Sequence, residues 1–279
     1  MKIVETISET RAACRAAKNR GKLGLVPTMG ALHEGHLSLV RSAKAQCDVV
    51  AVSLFVNPTQ FGPNEDLSKY PRTFERDLEL LQKEGVDFLF APTTAEMYPP
   101  GATTFVNVDG LSEKLDGKSR PGHFRGVTTV VSKLFHIVEP DRAFFGQKDA
   151  AQVAVIRKMV RDLDFPVEIV VCPIVRESDG LALSSRNVYL DAKQRKSALV
   201  LSRSLQRVRE EFDRGERDAA RLIAAGKQIL SEEPSVRLDY FEIVDPATLD
   251  PVAQITRPAL VAVAAFVGAT RLIDNLLMG

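Results

Sequence analysis

The chain has 279 residues, 45% of them apolar, enough to bury one large core or two ordinary ones. Its 37 Lys and Arg nearly cancel its 36 Asp and Glu, which argues against a bulk field for nucleic acid, a polybasic membrane contact or an acidic tail. The three cysteines, Cys14, Cys47 and Cys172, are scattered, lack the spacing of a disulfide framework or a structural zinc site, and fit a reducing compartment.

Residues 1–22 spread their charges with no apolar stretch of signal-peptide character, so they read as part of the mature protein. The longest apolar run, 259–267, is far short of the about 20 residues that cross a bilayer. A cytoplasmic protein without membrane contact is expected. From residue 23 short β-rich runs alternate with helical patterns: a strand LGLV, a helix over 35–45, a strand over 49–56, a helix over 74–84 and a strand at VDFLFAP. Further on come a helix over 126–138, a strand over 142–145, a helix over 151–163 and a strand over 167–171. That alternation predicts an α/β unit with a parallel sheet and helices on its faces.

After Ile174 the texture changes to a polar segment, two charged helices (191–214 and 218–231) and strands over 238–244, 260–267 and 271–274, a smaller α+β unit. A hinge is expected near 175–186, and KLDGKSRPG at 114–122 is the segment expected to be mobile.

Five segments carry the candidate chemistry, three of them at strand ends. In PTMGALHEGH, Pro27 to His36, a buried strand stops at a proline and Gly30 permits a tight turn from which a helix starts near Glu34. His33 and His36, three apart, are expected to share an outward face beside the helix N-terminus, where free N–H groups favour an anion, and Gly35 leaves room for a ligand on the turn. Two ordinary surface histidines are the bland alternative. Zinc would need a third ligand, with only remote ones such as His123 on offer, and the turn lacks the Gly-Lys-Ser/Thr of a phosphate-cradling Walker loop. FGQKD, Phe145 to Asp149, falls at an equivalent strand end, so Lys148 can meet the same bound group. LSSRN, Leu183 to Asn187, offers two hydroxyls and a guanidinium able to grip phosphates from the hinge. Asn57 and Gln60 in FVNPTQF follow a buried strand and suit a small polar substrate, while the cations of SRPGHFRG (119–126) either bind a carboxylate or decorate a loop.

Taken in order with YPRT and the closing RLIDN, these segments resemble the pantothenate synthetases (pantoate:β-alanine ligases), members of the HxGH nucleotidyltransferase superfamily, essentially end to end. In that family's pattern Glu often stands at the position of Gln147 and Met at that of Thr59. The resemblance implies a Rossmann-like, doubly wound nucleotide- and pantoate-binding domain over 1–175, a smaller C-terminal α+β lid over 176–279, and a homodimer formed through the former. It implies ATP-dependent condensation of pantoate with β-alanine through an enzyme-bound pantoyl adenylate, releasing AMP and pyrophosphate, with Mg²⁺ accompanying the phosphates. By resemblance Met29, Gly30, Ala31, Leu32, His33, Glu34, Gly35 and His36 line the ATP site together with Gly146, Gln147, Lys148, Asp149, Val175, Leu183, Ser184, Ser185 and Arg186. Gln60 and Gln152 hold pantoate, and Asn57 joins them on the substrate side.

The chemistry asks for charge. A carboxylate must approach an α-phosphate that is already anionic, so the crevice is expected to be lined by positive groups that cancel repulsion and align the attack. His36 is assigned to the α-phosphate and transition state, His33 to phosphate or ribose positioning, Lys148 to neutralisation, and Ser184, Ser185 and Arg186 to the departing pyrophosphate. No general base for the amine is evident, and Asp77 and Asp149 are the candidate protein ligands of Mg²⁺. A cytidylyltransferase-type enzyme and a non-catalytic nucleotide-sensing module are the rival readings.

Overall fold

The computed structural model describes residues 1–63 and 65–279. Its first part runs β1 (Lys2–Val4), α1 (Ile7–Lys18), β2 (Leu23–Thr28), α2 (Glu34–Gln46), β3 (Val49–Leu54), α3 (Phe74–Lys83), β4 (Phe88–Phe90), α4 (Thr94–Met97), α5 (Asp116–Ser119), α6 (His123–Val138), β5 (Arg142–Gly146), α7 (Ala150–Asp162) and β6 (Glu168–Cys172). The six strands form one parallel sheet in the order β1-β4-β3-β2-β5-β6. The fold is α/β and Rossmann-like, as expected. Strands β2 and β3 are buried along nearly their whole length, which explains their unbroken apolar runs: both faces are covered. Cys14, Ala17, Val131, Leu134, Val155 and Ile156 bring α1, α6 and α7 onto one face, and Leu39, Val40 and Leu81 bring α2 and α3 onto the other.

The order of strands places the site. After β2 the chain builds to one side through β3 and β4, and after β5 to the other through β6, so the switch point lies between β2 and β5. Helix α2 leaves β2 toward one face and α7 leaves β5 toward the other, which opens a crevice at the carboxyl ends of these two strands, where open α/β sheets bind ligands.

The second part runs α8 (Ala192–Asp213), α9 (Ala219–Ser231), β7 (Val236–Val244), β8 (Ala259–Val267) and β9 (Thr270–Met278), the strands forming an antiparallel sheet in chain order. Strand β8 shows the two-residue period of a sheet with two covered faces: Ala259, Val261 and Val263 join the core with α8 and α9, whereas Leu260 and Ala262 join that of the first part. Among the described residues no helix is long and apolar enough to cross a membrane.

Three readings of the sequence differ from the structure, the first because of long-range contacts. Residues 114–122 are not a mobile loop: they hold the helix α5, where Asp116 pairs with Arg271 at 2.7 Å and a Cβ at Gly117 would lie 1.9 Å from the Ser112 carbonyl. Strand β1 and helix α1 are missed by the sequence pattern. The helix expected over 126–138 begins earlier, at His123, with Gly122 at φ +83° as its left-handed start.

Candidate active site

The turn after β2 is built by backbone groups that point inward. Gly30 and Ala31 both have positive φ, +81° and +50°, and the buried Asp77 of α3 receives the N–H groups of Ala31 and Leu32, each at 2.8 Å, plus the Thr73 hydroxyl at 3.1 Å. One carboxylate thereby fixes two consecutive peptides of a strained turn. This corrects its candidacy as a metal ligand: both oxygens of Asp77 accept from the turn, and it lies behind that turn, outside the cavity that holds Lys148 and Asp149.

Helix α2 is capped by histidines. His33 is the N-cap, its ring Nδ1 accepting from the Gly35 N–H at 3.2 Å, and His36 at the third helical position accepts the His33 N–H on its own Nδ1 at 3.3 Å. A reciprocal cap normally uses Ser or Thr and Glu. Here it does chemical work as well, because an Nδ1 that accepts must carry no proton, which leaves Nε2–H as the free donor of each neutral ring. Burial, with Lys148 nearby, lowers the His33 pKa to about 4; burial, then His33 and Lys148, lowers that of His36 to about 3. The rings lie 4.1 Å apart between centroids. The expectation of outward-facing, positive imidazoles is corrected: they are neutral N–H donors in the wall of a cavity. Gly35 lines the cavity, and a Cβ there would also lie 2.9 Å from the His33 ring.

Across the switch point, β5 ends at Gly146 and delivers Lys148 and Asp149 to the same cavity. A Cβ on Gly146 would meet nothing within 4 Å, and its φ of −82° suits any residue, so the fold itself does not call for glycine there. The Lys148 ammonium lies 3.8 Å from Asp149, the outer limit of an ion pair. Its backbone is held from the second sheet: Asn275 of β9 donates to the carbonyls of Gln147 and Lys148, each at 2.9 Å, and accepts from Gln147 Nε2 at 3.0 Å. Next to it Asp274, nearly fully buried, takes Arg176 in a two-pronged pair at 2.6 and 2.8 Å. These contacts give physical purpose to the closing RLIDN.

Residues 183–186 fold over the turn. Ser185 donates to the Ala31 carbonyl at 3.0 Å, Ser184 caps the short 3-10 turn Ser185–Tyr189 by accepting from the Arg186 N–H, and the Leu183 N–H donates to the Val175 carbonyl at 3.0 Å. Arg186 is not a free cation: its guanidinium grips Asp66 through two bonds of 2.9 Å. Arg120 grips Glu65 through two of 2.7 Å. Positive charge in this wall is thus concentrated on Lys148, and the crevice relies on oriented N–H groups more than on net charge.

Gln60, buried after β3, is held on three sides. Asn57 donates to its Oε1 at 3.1 Å, its Nε2 donates to Met29 Sδ at 2.8 Å, and its carbonyl accepts from His123 Nδ1 at 2.8 Å. His123 accepts in turn from Arg120 at 3.0 Å, so its second nitrogen is occupied too, and burial beside Arg120 lowers its pKa to about 4. Asn57 has no polar atom left for a ligand: it also donates to the Gly126 carbonyl and accepts from Thr59 and Tyr98. Its place is as the residue that aims Gln60. Gln152 of α7 faces the cavity opposite.

The structure therefore brings Met29, His33, Gly35, His36, Asn57, Gln60, Gly146, Lys148, Asp149, Gln152, Val175, Leu183, Ser184, Ser185 and Arg186 around one cavity of about 230 Å³. It shares Arg120, Lys148, Gln152 and Arg186 with an adjoining cleft of about 840 Å³ that reaches the second sheet. Five residues expected there lie elsewhere. Gly30 and Ala31 shape the turn from behind, Leu32 is buried in the core, Gln147 faces Asn275, and Glu34 points away to pair with Arg41. Among the described residues no three His, Cys, Asp or Glu side chains converge as a metal would require, so the donor set builds no metal site of its own.

Comparisons with known proteins agree on one family. The sequence profile described as "Pantoate-beta-alanine ligase" matches residues 2–277. A pantothenate synthetase of Koribacter versatilis is 65% identical over 279 residues, all of this chain and 96% of that protein. The crystal structure of a pantothenate synthetase from Thermus thermophilus superposes with a TM-score of 0.95 at 52% identity, over 99% of each chain. A pantoate-beta-alanine ligase from Francisella tularensis, solved in complex with beta-gamma ATP and beta-alanine, gives a TM-score of 0.80 at 35% identity over 99% of this chain and 97% of that one. With its whole length matched, the chain belongs to the pantoate-beta-alanine ligases, enzymes that form a carbon–nitrogen bond.

Proposed function

We propose that this chain condenses pantoate with β-alanine at the expense of ATP, by way of a bound pantoyl adenylate. The observation that carries the reading is the meeting, at one switch point, of two histidine Nε2–H donors from the turn after β2 and the ammonium of Lys148 from the turn after β5. In the first step a carboxylate oxygen of pantoate bonds to the α-phosphorus while the bond from phosphorus to pyrophosphate breaks. The neutral histidines donate toward the crowded phosphate oxygens, and Lys148 offsets the charge that two anions bring together. Neutral donors suit this task because they need no proton exchange when the anion arrives. Arg186 exchanges Asp66 for the departing pyrophosphate, aided by Ser184 and Ser185.

In the second step the neutral amine of β-alanine attacks the acyl carbon, the bond to AMP breaks, and the amine proton passes to the departing phosphate or to water. Gln60 and Gln152 hold pantoate between them, with Asn57 setting the first of the two. Mg²⁺ would be held chiefly by the triphosphate oxygens and would offset their charge, with Asp149 the carboxylate in the cavity that would assist. The same reading takes 1–175 as the nucleotide- and pantoate-binding domain, 176–279 as a lid, and a homodimer in the cytoplasm as the working form.

The test is pantoate-dependent exchange of labelled pyrophosphate into ATP without amine, followed by release of AMP on adding β-alanine. Exchange followed by release is the expected result. Stable transfer of the nucleotide to an acceptor supports a cytidylyltransferase-type enzyme instead, and ATP binding without exchange supports a nucleotide sensor.

A further inference from the structure

Ser53 has no part in the scheme above, and its surroundings single it out. Along β3 side chains alternate between faces, so Ser53 shares with Ala51 and Phe55 the face that meets α6. Across the sheet it stands in register with Pro27 on one side and Phe90 on the other. None of these four neighbours has a polar side-chain atom. Above them α6 contributes Val127 and Val130 to the cavity wall. Ser53 is 1% exposed and lines the cavity, yet among the described residues its hydroxyl makes no hydrogen bond.

Buried hydroxyls elsewhere in the chain solve this locally. Thr128 and Thr129, on α6, donate to carbonyls one helical turn earlier, at 2.8 and 2.6 Å. A strand has no carbonyl one turn back: Thr28, at the end of β2, donates across the sheet to the Ser53 carbonyl at 2.8 Å, and the Ser53 hydroxyl has no counterpart among the described residues. An alanine would continue the apolar run VVAVSLFV without the cost of an unpaired polar atom, so the hydroxyl answers to something that occupies the cavity.

We infer that Ser53 is a specificity residue for the acid substrate, its hydroxyl exchanging a hydrogen bond with an alcohol group of a branched hydroxy acid whose alkyl surface rests on Pro27, Phe55 and the valines of α6. This rests on the reading of the chain as a pantoate-activating ligase. The placement explains how a floor made almost wholly of apolar side chains distinguishes a hydroxylated acid from its deoxy counterpart, since leaving the serine unpaired penalises the counterpart.

The test compares the wild-type chain with Ser53→Ala on pantoate and on two analogues, one without the hydroxyl beside the carboxylate and one without the terminal hydroxyl. The readout is kcat/KM, or the inhibition constant where an analogue is not turned over. Ser53→Ala is expected to lower kcat/KM for pantoate by about tenfold, the scale of one buried hydrogen bond. The KM for ATP and the Tm are expected to hold, and for one of the analogues wild type and variant are expected to behave alike. Undiminished kcat/KM for pantoate, or an equal loss toward pantoate and both analogues, overturns the inference by making Ser53 silent or merely a packing residue. A wild-type chain that does not activate pantoate overturns the ligase reading and this inference together, whereas an active wild type with an indifferent variant rejects the role of Ser53 alone.

Discussion

The backbone N–H of His33 donates to the ring Nδ1 of His36 at 3.3 Å, so the first turn of α2 decides which nitrogen of the second histidine faces the cavity. Cap and donor are two ends of one ring, and substitutions can separate them.

His36→Asn keeps an acceptor near the His33 N–H and loses the donor that faces the cavity. Stability is expected to stay within about 0.5 kcal/mol of wild type, while adenylate formation falls by about 10²-fold or more. His36→Ala loses both, with a further cost of about 1 kcal/mol for the cap. Single-turnover formation of the adenylate, set beside denaturant unfolding of the same variants, separates the effects; near wild-type turnover in His36→Asn removes the ring from the chemistry.

Stability is expected to fall on acidification across a defined window. Burial lowers the pKa of His33 to about 4, of His36 to about 3 and of His123 to about 4, from an ordinary 6.5. Below pH 6.5 the unfolded chain takes up protons that the folded one refuses, so each group removes stability as pH drops from 6.5 toward its folded value, and none does so above 6.5. Each contributes a slope of up to about 1.4 kcal/mol per pH unit in that window. Urea unfolding at several pH values checks this, and His36→Gln is expected to flatten the slope.

Two glycines make opposite predictions. Gly146→Ala is expected to leave stability unchanged, because the new methyl meets only open cavity, and to weaken ATP binding about tenfold through loss of the space a nucleotide uses. Gly126→Ala places its methyl 2.3 Å from the Thr59 carbonyl and is expected to destabilise by about 1–3 kcal/mol or more. Calorimetric titration with ATP and thermal melts of both variants decide; a Gly146→Ala protein that binds ATP like wild type moves the nucleotide elsewhere.

Arg186→Ala is expected to lower kcat/KM for ATP at least tenfold with little effect on that for β-alanine, and Arg186→Lys to recover little of it, because a lysine cannot reproduce the two-pronged grip now seen on Asp66. Initial rates with each substrate varied in turn provide the check. Equal damage toward both substrates points to a structural role in the hinge.

What could be read in advance was what is local. A buried strand, a glycine turn and a histidine pair follow one another closely in sequence, although the strand runs through Pro27 to Thr28, and the alternation of apolar runs and helical patterns gave the parallel sheet. The neutrality of the histidines depends on burial by distant segments, and the pairing of Arg186 with Asp66 spans 120 residues. Asp77 stood out only as a carboxylate, because its task of fixing the Ala31 and Leu32 peptides lies 46 and 45 residues away. Segment 114–122 looked loose because the partner of Asp116 is Arg271, 155 positions on. Ser53 did leave a trace, one hydroxyl in an otherwise apolar run, and only the strand register showed that nothing beside it could bond to it.

The tie between Asn275 and the Gln147–Lys148 peptides joins positions 128 and 127 apart. Contacts of such separation form late when a chain folds, since a long loop must close first. The histidine cap is closed by partners two and three positions apart, whereas the backbone of the lysine turn is tied to the last strand of the chain, so a change in that strand reaches Lys148 without touching the cap.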